Sequence, residues 1–410
     1  MTSTSTSFEL LQNSKILLVN QSVDSLFNGL ARAICEKLQS GEVVLLTGSF
    51  EEDGNAYVYK VVRSCELVRS PAWRRGVSWA AFTIRFLVHA ILRRYDLLIV
   101  TTNPPLVPWV LGLMHWLVRS PYVLIEYDVY PDVLARMRVI RETGRVYRGL
   151  RWFNALAMQR AAAVVTLGYD MALRLQAHCE ELVPEIVVVP NWADTEKFRP
   201  VAKNENPVAV AERLDEKFVV MYSGSFGATH DLRTLLEAAA ALVDEPTFEL
   251  VLVGKGTRLY EIENELALRR PPNVRLLPWQ PVEKLPYSLA MADVHLVTLD
   301  APYAGISFPS KFHTALAVGA AIIAVAPIET DLAHTVRGEH VGQVVRPRDP
   351  QGLADAIRKL MGNQEETEAM KLRSRQLAER RYDVRMGTDR YLEITGKVLA
   401  RRRGTGLAGG

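Results

Sequence analysis

Cysteine is scarce in this chain, with three residues among 410, at positions 35, 65 and 179. They lack the close spacing of metal ligands, and an odd number cannot pair completely. A disulfide scaffold and a cysteine-rich zinc site are therefore excluded as organising principles, and a reducing cytoplasm is the expected compartment. Hydrophobic residues make up 49% and charged residues 23%. This composition is ordinary for a folded protein and excludes a disordered regulator.

The chain also lacks an apolar run long enough to span a bilayer, and no secretory signal opens it. Residues 1–7 form a Ser/Thr tract with no apolar core behind it, which predicts a frayed terminus. The longest apolar stretch, 76–92, contains Arg85 and His89 and falls short of the ~20 residues that a spanning helix needs. This stretch and the shorter 104–118 each predict a helix, either buried in the protein or lying in a membrane interface.

Acidic residues are rare where basic residues are dense, although the net charge is only +3. Between residues 63 and 94, seven arginines stand against the single acidic residue Glu66, and a second arginine-rich run covers 136–160. Trp73 and Trp79 lie within the first run. Aromatic and basic residues together are typical of interfacial helices, so the first half is expected to contact an anionic membrane. A net charge this small gives no reason to expect a nucleic-acid partner.

Short apolar strands alternate with helical patterns along the chain. This alternation predicts the α/β class, with parallel sheets covered on both faces. A polar, proline-containing segment at 200–217 divides the pattern into two doubly wound domains of similar size. The predicted strands are 15–20, 42–47, 56–62, 96–101, 122–127, 163–167 and 186–190 in the first half, and 219–223, 249–253, 274–277, 294–298 and 321–325 in the second.

The pattern predicts a disordered tail at 1–14, a Rossmann-like domain at 15–199 and a linker at 200–217. A second Rossmann-like domain is predicted at 218–375. A long charged helical stretch at 376–403 and a disordered tail at 404–410 close the chain. Because ligands of open α/β sheets bind beyond the carboxyl ends of the strands, motifs that directly follow strands are the candidates for function.

The sharpest motif, YSGSFGATHDL at 222–232, follows a strand and precedes a helical pattern. Gly224 and Gly227 would let backbone amides approach a ligand, and the following helix would present its positive N-terminus, which suits a diphosphate. The motif lacks the Gly-Lys-Ser/Thr of a Walker loop and the third glycine of the dinucleotide fingerprint. Phosphate binding and a purely structural glycine turn both remain open.

A second motif, FPSK, ends at Lys311 immediately before a helical pattern. Pro309 and Ser310 suit a helix N-terminus. A lysine in the first turn, however, opposes the helix dipole. An anionic ligand would remove that conflict, so Lys311 is predicted to bind an anion. The alternative is a solvated surface lysine.

Two weaker motifs also follow strands. Asp128, in EYDVYPD at 126–132, could accept a hydroxyl proton or orient an acceptor, whereas a helix cap or a turn at Pro131 would explain it without any function. The sequence GKG at 254–256 suits a strand-to-loop turn, and its backbone could contact a base or a ribose.

The order of these motifs resembles that of GT-B glycosyltransferases of the GT4 type, in the bacterial surface-polysaccharide subgroup. The segments that carry the resemblance are 222–232, VLVGKG at 251–256, PNVRLLPWQPVEKLPYSLAMADVHLV at 272–297, and PSK at 309–311 before a helix ending at Gly319. In the first half, NPP at 103–105 and YDVYPD at 127–132 resemble that subgroup's SPP and DxxPE/D segments. The resemblance covers about residues 15–361 and is more specific in the second half.

The resemblance implies two Rossmann-like doubly wound domains facing across a cleft. The first would bind the acceptor and the second the nucleotide-sugar, and the helix at 376–403 would cross back to the first domain. The implied reaction is a retaining transfer of a sugar from a nucleotide-diphosphate donor, expected to be a UDP-sugar, to a carbohydrate or lipid-linked saccharide. Exopolysaccharide, capsule or O-antigen synthesis is the implied process.

Further expectations follow from the family. No metal and no separate cofactor are expected, and no DxD motif stands in a suitable context. The acceptor is expected on a polyprenyl diphosphate, and the protein is expected in the cytoplasm at the inner face of the plasma membrane. Two alternatives stay open: a GT-B-shaped sugar-nucleotide epimerase, or a non-catalytic partner protein of a polysaccharide assembly complex.

Three departures from the family pattern affect the expected donor site. Many members carry an arginine where Ser225 stands, a lysine where His230 stands, and a second glutamate near Thr314. The diphosphate contacts are therefore expected from the loop amides and Lys311, and a hydroxyl contact from Glu329. Asp128 and Lys311 are the expected catalytic residues. The expected donor-binding residues are Ser223, Gly224, Ser225, Phe226, Gly227, His230, Gly254, Lys255, Gly256, Ser310, Lys311 and Glu329.

Overall fold

Apolar β-branched runs form the strands of two parallel sheets, one in each of two units of the chain. The computed structural model describes residues 12–38, 41–50, 59–68, 71–179, 186–227, 231–256, 258–402 and 404. Unit 1 comprises Met1–Pro190, Gly305–Ser307 and Arg385–Gly410, and unit 2 comprises Asn191–Ala304 and Phe308–Val384. The two Rossmann-like parallel sheets confirm the predicted α/β class.

Unit 1 holds a seven-stranded parallel sheet in the order β5-β3-β1-β6-β7-β8-β9, with β2 and β4 as a separate parallel pair. The central strands are buried along most of their length, because helices cover both faces. The strands are β1 (Lys15–Val19), β2 (Ser22–Val23), β3 (Glu42–Thr47), β4 (Ser49–Phe50), β5 (Lys60–Arg63), β6 (Leu97–Thr101), β7 (Tyr122–Glu126), β8 (Ala163–Thr166) and β9 (Ile186–Val188).

In the described part of unit 1, seven helices connect these strands. They are α1 (Ser25–Lys37), α2 (Ala72–Leu92), α3 (Leu106–Leu113), α4 (His115–Val118), α5 (Asp132–Arg136), α6 (Arg145–Arg160) and α7 (Tyr169–His178). The first begins at Ser25, because the Asp24 side chain accepts the backbone N–H of Phe27 and caps the helix.

Unit 2 holds a six-stranded parallel sheet in the order β12-β11-β10-β13-β14-β15. The chain reverses its direction of winding between β10 and β13, and this switch point is where such sheets bind ligands. The strands are β10 (Phe218–Ser225), β11 (Phe248–Lys255), β12 (Val274–Leu277), β13 (Val294–Thr298), β14 (Ala321–Val325) and β15 (Gly342–Val345).

Eight helices belong to this half of the described chain. They are α8 (Pro207–Ala211), α9 (Leu232–Ala240), α10 (Leu259–Arg269), α11 (Leu285–Ala290), α12 (Lys311–Ala317), α13 (Asp331–Gly338), α14 (Pro350–Gly362) and α15 (Gln364–Arg381). Short 3-10 turns lie at Lys203–Glu205 and Ala301–Tyr303. The final helix, α16 (Val384–Arg402), packs in unit 1 from Arg385 onward.

Two segments differ from the sequence-based expectation. The expected linker 200–217 contains a 3-10 turn and α8, and its Ala209 and Leu214 are buried in a core cluster of unit 2. The helical stretch expected at 376–403 is interrupted after Arg381. The interruption occurs because the backbone of Ala193 pairs with the chain there. The Ala193 N–H donates to the Tyr382 carbonyl (2.8 Å), and the Ala193 carbonyl accepts from the Val384 N–H (3.0 Å).

The two expected tails lie outside the described residues, apart from 12–14 and Gly404. Among the helices that the structure describes, none combines the length and the apolarity needed to cross a membrane.

Candidate functional site

The two glycine motifs of unit 2 lie side by side, because they end neighbouring strands. In the register of β10 and β11, Gly224 pairs with Gly254 and Ser225 with Lys255. The backbone N–H of Phe226 also donates to the carbonyl of Lys255 at 2.9 Å. The carboxyl edge of the sheet therefore brings residues 223–227 and 254–256 together at the switch point.

Lys311, the first residue of α12, extends its side chain to this same edge. Its Nζ lies 3.7 Å from the centre of the Tyr222 ring. The ammonium is buried, and no hydrogen-bond acceptor for it exists within the described ranges. Burial lowers the pKa of Lys311 to about 7, since the charged form loses its hydration. A buried cation held only by an aromatic face is poised to gain an anionic partner.

Gly224 allows this close approach of the lysine to the backbone. A Cβ at this position would lie 3.0 Å from Nζ of Lys311 and 3.3 Å from its Cε. Any larger residue would therefore push the ammonium away from the end of β10. The absence of a side chain leaves the backbone and the ammonium facing the same space.

The Phe226 side chain packs into the core of unit 2. It is fully buried and stacks on Tyr222 with ring centroids 6.0 Å apart. Its N–H is bonded to Lys255, and its carbonyl accepts from the N–H of Arg258 at 3.1 Å. A Cβ on Gly254 would lie 2.7 Å from the ring. The same Cβ would lie 2.2 Å from the carbonyl oxygen of Gly224, so the close approach of β10 and the packing of Phe226 together require this glycine.

The N-terminus of α9 is already occupied by a side chain of the protein. Asp231 accepts the backbone N–H of Thr234 at 3.3 Å, so this end of the helix already carries a negative partner. One of the free N–H groups at this end of the helix therefore has a partner, and binding of a diphosphate there stays a prediction. Gly227 is half-buried just before it, and His230 lies outside the described residues.

His313 contacts the turn that leads into α12. The Nδ1 of this buried histidine lies 3.2 Å from the carbonyl oxygen of Ser310, and burial lowers the histidine pKa to about 4. Ser310 is exposed, and its side chain does not cap the helix. Sequence reasoning missed this role of His313, because a histidine within an apolar helix carries no distinctive signal.

Trp279 is a second residue that the sequence reading did not select. It follows β12, its ring is 47% exposed, and the Lys255 ammonium lies 4.4 Å from the ring centre. The signal available in the sequence was a tryptophan shortly after a predicted strand. Glu329 follows β14 and lines a different pocket from the one that Lys311 and the glycine motifs border.

In unit 1, Asp128 lies directly after β7, at the carboxyl edge of that sheet. It is half-buried, and loss of hydration raises its pKa to about 6. Its neighbour Val129 donates its backbone N–H to the carbonyl of Ile306 at 2.8 Å. Asp128 is therefore held at the end of a strand with a proton affinity suited to acid–base chemistry near neutral pH.

A series of buried side chains joined by hydrogen bonds begins at the last residue of β7. Glu126 is fully buried, and its Oε1 accepts from Asn154 Nδ2 at 3.2 Å; the Asn154 carbonyl oxygen accepts from Trp109 Nε1 at 3.1 Å. Burial is the main cause that raises the Glu126 pKa to about 8, with Asp128 adding to it. Glu126 is thus a neutral acid at pH 7 and a structural neighbour of Asp128.

The outer face of α2 forms an exposed surface of distinctive composition. This face, called the α2 stripe, has no acidic residue along the helix and presents apolar side chains with arginines beside them. Trp73, Val77, Ile84, Val88 and Leu92 are between 50% and 78% exposed. Their spacing keeps them on one side of the helix.

Comparison with known proteins gives two family matches. Residues 204–377 match the family model described as glycosyl transferases group 1, and residues 27–192 match that of the glycosyl transferase 4-like domain. Each match lies largely within one of the two parallel-sheet units.

Two curated relatives are similar in sequence. A probable glycosyltransferase of Pseudomonas aeruginosa, WbjE, is 25% identical over 69% of this chain and 71% of its own length. A putative colanic acid biosynthesis glycosyl transferase of Escherichia coli K12, WcaI, is 31% identical over 43% of this chain and 44% of its own.

Solved structures share the fold. Sucrose-phosphate synthase from Thermosynechococcus elongatus has a TM-score of 0.74 at 18% identity, covering 96% of this chain and 100% of that one. Anabaena HepE in complex with UDP-glucose has a TM-score of 0.70 at 17% identity, covering 96% and 100%. The epimerase and the non-catalytic alternatives are not favoured by these similarities.

Proposed function

Because this chain belongs to the GT4-type GT-B glycosyltransferases of bacterial surface-polysaccharide biosynthesis, we propose that it transfers a sugar from a UDP-linked donor. The proposed reaction retains the anomeric configuration and needs no metal. The observation that carries the proposal is the buried Lys311 ammonium, which faces the end of β10 without a hydrogen-bond acceptor in the described chain. A donor diphosphate would supply the missing partner.

Lys311 is the proposed catalytic residue on the donor side. As the bond between sugar and diphosphate breaks, negative charge grows on the departing phosphate oxygens. A cation already fixed in a dry site stabilises that charge without reorganising, and this is the largest kind of catalytic effect available to the chain. Backbone amides near Gly224 and Gly227 are proposed to add further donors, in the absence of the arginine that many relatives carry at Ser225.

The nucleobase is proposed to lie farther along the same edge, near 254–256. Trp279 provides an exposed aromatic face there, and Lys255 is stacked on it. A flat apolar surface bordered by a cation suits a uracil ring. HepE, a structural neighbour, has been solved with UDP and with UDP-glucose. That neighbour supports UDP as the nucleotide to try first.

Asp128 is proposed to act on the acceptor. Its raised pKa lets it bind an acceptor hydroxyl and share its proton near neutral pH. The acceptor is proposed to be a saccharide on a polyprenyl diphosphate. We expect Asp128→Asn to lose transfer while keeping UDP affinity, and equal activity of that variant and the wild type would remove the role.

The α2 stripe is proposed to bring the enzyme to the cytoplasmic face of the plasma membrane. Its exposed apolar side chains can enter the headgroup region, and arginines attract acidic lipids by roughly 1 kcal/mol each near the surface. A lipid-linked acceptor would then be presented to unit 1, which carries both the stripe and Asp128.

The first test is a thermal-shift series with UDP, GDP, ADP, dTDP and CMP. A ligand at 100 times its dissociation constant adds ~2.7 kcal/mol of stability, which appears as a clear shift. We expect UDP to give the largest shift and UDP-glucose to be cleaved faster when a saccharide acceptor is added. Free sugar released equally fast without acceptor would favour the epimerase alternative. No shift with any nucleotide would contradict the proposed donor site.

A further inference from the structure

Unit 2 contains a polar pocket at the carboxyl ends of β13, β14 and β15. These strands form one side of the sheet, and Trp279 follows β12 at the other side. The loops after β13, β14 and β15 enclose a volume of about 500 Å³, within the range of small-molecule sites. Its charged lining residues are Asp300, Glu329, Arg346 and Arg348. The lining includes neither Lys311 nor any residue of the two glycine motifs.

The four charges of the pocket do not neutralise one another by direct contact. Neither arginine forms an ion pair within 4 Å or a side-chain hydrogen bond in the part of the chain that the structure describes, and the same holds for the two carboxylates. Burial raises the pKa of Asp300, with the nearby charge of Asp231 adding to the effect and Arg348 opposing it. Asp300 is half-buried and Glu329, Arg346 and Arg348 are exposed, so the four charges are unpaired and accessible to a ligand.

The loops that carry these charges are stiffened. Each contributes one proline to the wall, namely Pro302, Pro327 and Pro347, and proline fixes its own backbone φ angle. Arg348 itself adopts a φ of 61°, a left-handed conformation that non-glycine residues seldom adopt. A site built this way loses little conformational entropy when a ligand binds.

We infer that this pocket binds a sugar that carries an anionic group, a carboxylate or a phosphate. Two adjacent arginines recognise such a group through paired charge-assisted hydrogen bonds. Asp300 and Glu329, which line the same pocket, would accept hydrogen bonds from the sugar hydroxyls. The inference rests on the proposed function only for the choice of a sugar, and it assigns Glu329 to this pocket instead of the nucleotide.

The test uses ligand-observed NMR titration of the full chain with glucuronate, glucose 6-phosphate, glucose and inorganic phosphate. The variants are Arg346→Gln and Arg348→Gln, with Arg269→Gln as the matched control, because Arg269 is an exposed arginine elsewhere in unit 2. We expect glucuronate and glucose 6-phosphate to bind and glucose to bind at least about tenfold more weakly. Each pocket variant should weaken the anionic sugars about tenfold, whereas the control should not.

Two further arms separate this inference from the donor site. Glu329→Gln should weaken glucuronate but leave inorganic phosphate unchanged, because phosphate needs only the arginines. Lys311→Met should abolish UDP binding and leave glucuronate binding intact. The inference is overturned if glucose binds as well as glucuronate, if the pocket variants bind glucuronate normally, or if Lys311→Met removes glucuronate binding. Failure of UDP to bind, with glucuronate still bound, would overturn only the donor proposal.

Comparing the binding of UDP-glucuronate and UDP-glucose shows whether the anionic sugar belongs to the donor or to the acceptor. If the sugar belongs to the donor, wild type prefers UDP-glucuronate and the pocket variants lose that preference. If it belongs to the acceptor, the variants keep equal affinity for both nucleotides but lose affinity for glucuronate. Both results support an anionic-sugar site.

Discussion

The charge of Lys311 depends on what occupies the space in front of it. In the absence of a ligand, burial lowers its pKa to about 7, so the folded protein holds the proton less tightly than the unfolded chain. The resulting loss of stability is fully present below pH 7 and disappears as the pH rises towards 10.5. A bound diphosphate would reverse this, since an adjacent anion favours the charged lysine.

Replacing Lys311 with methionine tests this argument. Turnover should fall more than ~10-fold, because the leaving group loses its cation, as with removal of other preorganised donors. Stability at pH 7 should be equal or higher, because a buried unpaired charge is gone. At pH 8, UDP binding to wild type should take up a proton, measured as a calorimetric enthalpy that varies with the buffer, and the variant should lose that uptake. Normal turnover would remove Lys311 from the mechanism.

Glu126→Gln tests whether the buried acid is neutral. Because the folded pKa is raised to about 8, the folded state keeps a proton that the unfolded chain releases above about pH 4.5. Wild type should therefore lose stability between pH 5 and pH 8, and the variant should lose less. Thermal unfolding of both proteins across this range measures the difference. A constant difference at all pH values would mean that Glu126 is ionised in the folded protein.

Single residues were the least predictable part of the site. Lys311 was identified because a lysine at a helix start conflicts with the dipole, which is a local rule. Phe226 was selected as part of the glycine loop whose amides were expected to face the diphosphate, and sequence alone does not show that its ring stacks on Tyr222. Trp279 was missed because its exposure follows from the tertiary fold.

At the scale of an element, the membrane contact proposed for α2 can be tested separately from catalysis. Leu92 is 78% exposed on the stripe, and Leu268 on α10 is 86% exposed in unit 2. Burying a leucine side chain contributes about 1.5–3 kcal/mol. Leu92→Gln should therefore weaken binding to acidic vesicles about tenfold or more, whereas Leu268→Gln should have no effect. Flotation with anionic and zwitterionic vesicles at low and high salt measures this.

Two results would contradict the membrane role of α2. One is equal flotation of the Leu92 variant and wild type. The other is binding that ignores both lipid charge and salt, because attraction by arginines is screened by ions. If both leucine variants bind less well, the effect is general surface hydrophobicity and not the stripe.

Among the elements, strands were predicted better than helices. Buried parallel strands are continuous apolar runs, so β3, β12, β13 and β14 have the predicted bounds. β15 was missed because Gly342 and Gln343 interrupt its apolar pattern. α13 was missed because its start depends on a side-chain cap, from Thr330 to the N–H of Ala333. Such capping depends on side-chain geometry as well as composition.

At the scale of the whole molecule, the chain leaves unit 1 and returns to it. Two sequence-distant segments, Gly305–Ser307 and Arg385–Gly410, belong to unit 1 together with its first 190 residues. The sheets and their separate cores could be predicted from apolar periodicity. The return of the chain came instead from the family resemblance, because periodicity within α16 does not tell which core its apolar face enters.

The returning helix should be required for unit 1 and dispensable for unit 2. Its buried side chains include Tyr391, Leu392, Val398 and Leu399, each contributing about 1.5–3 kcal/mol, a total comparable to the ~5–15 kcal/mol that stabilises a domain. A chain ending at residue 384 should therefore lose the unfolding transition of unit 1 and expose it to limited proteolysis. A control ending at Gly404 should behave as wild type. UDP should still protect unit 2 of the shortened chain, since the donor-site residues all lie there; loss of both units together would show that unit 2 cannot fold without α16.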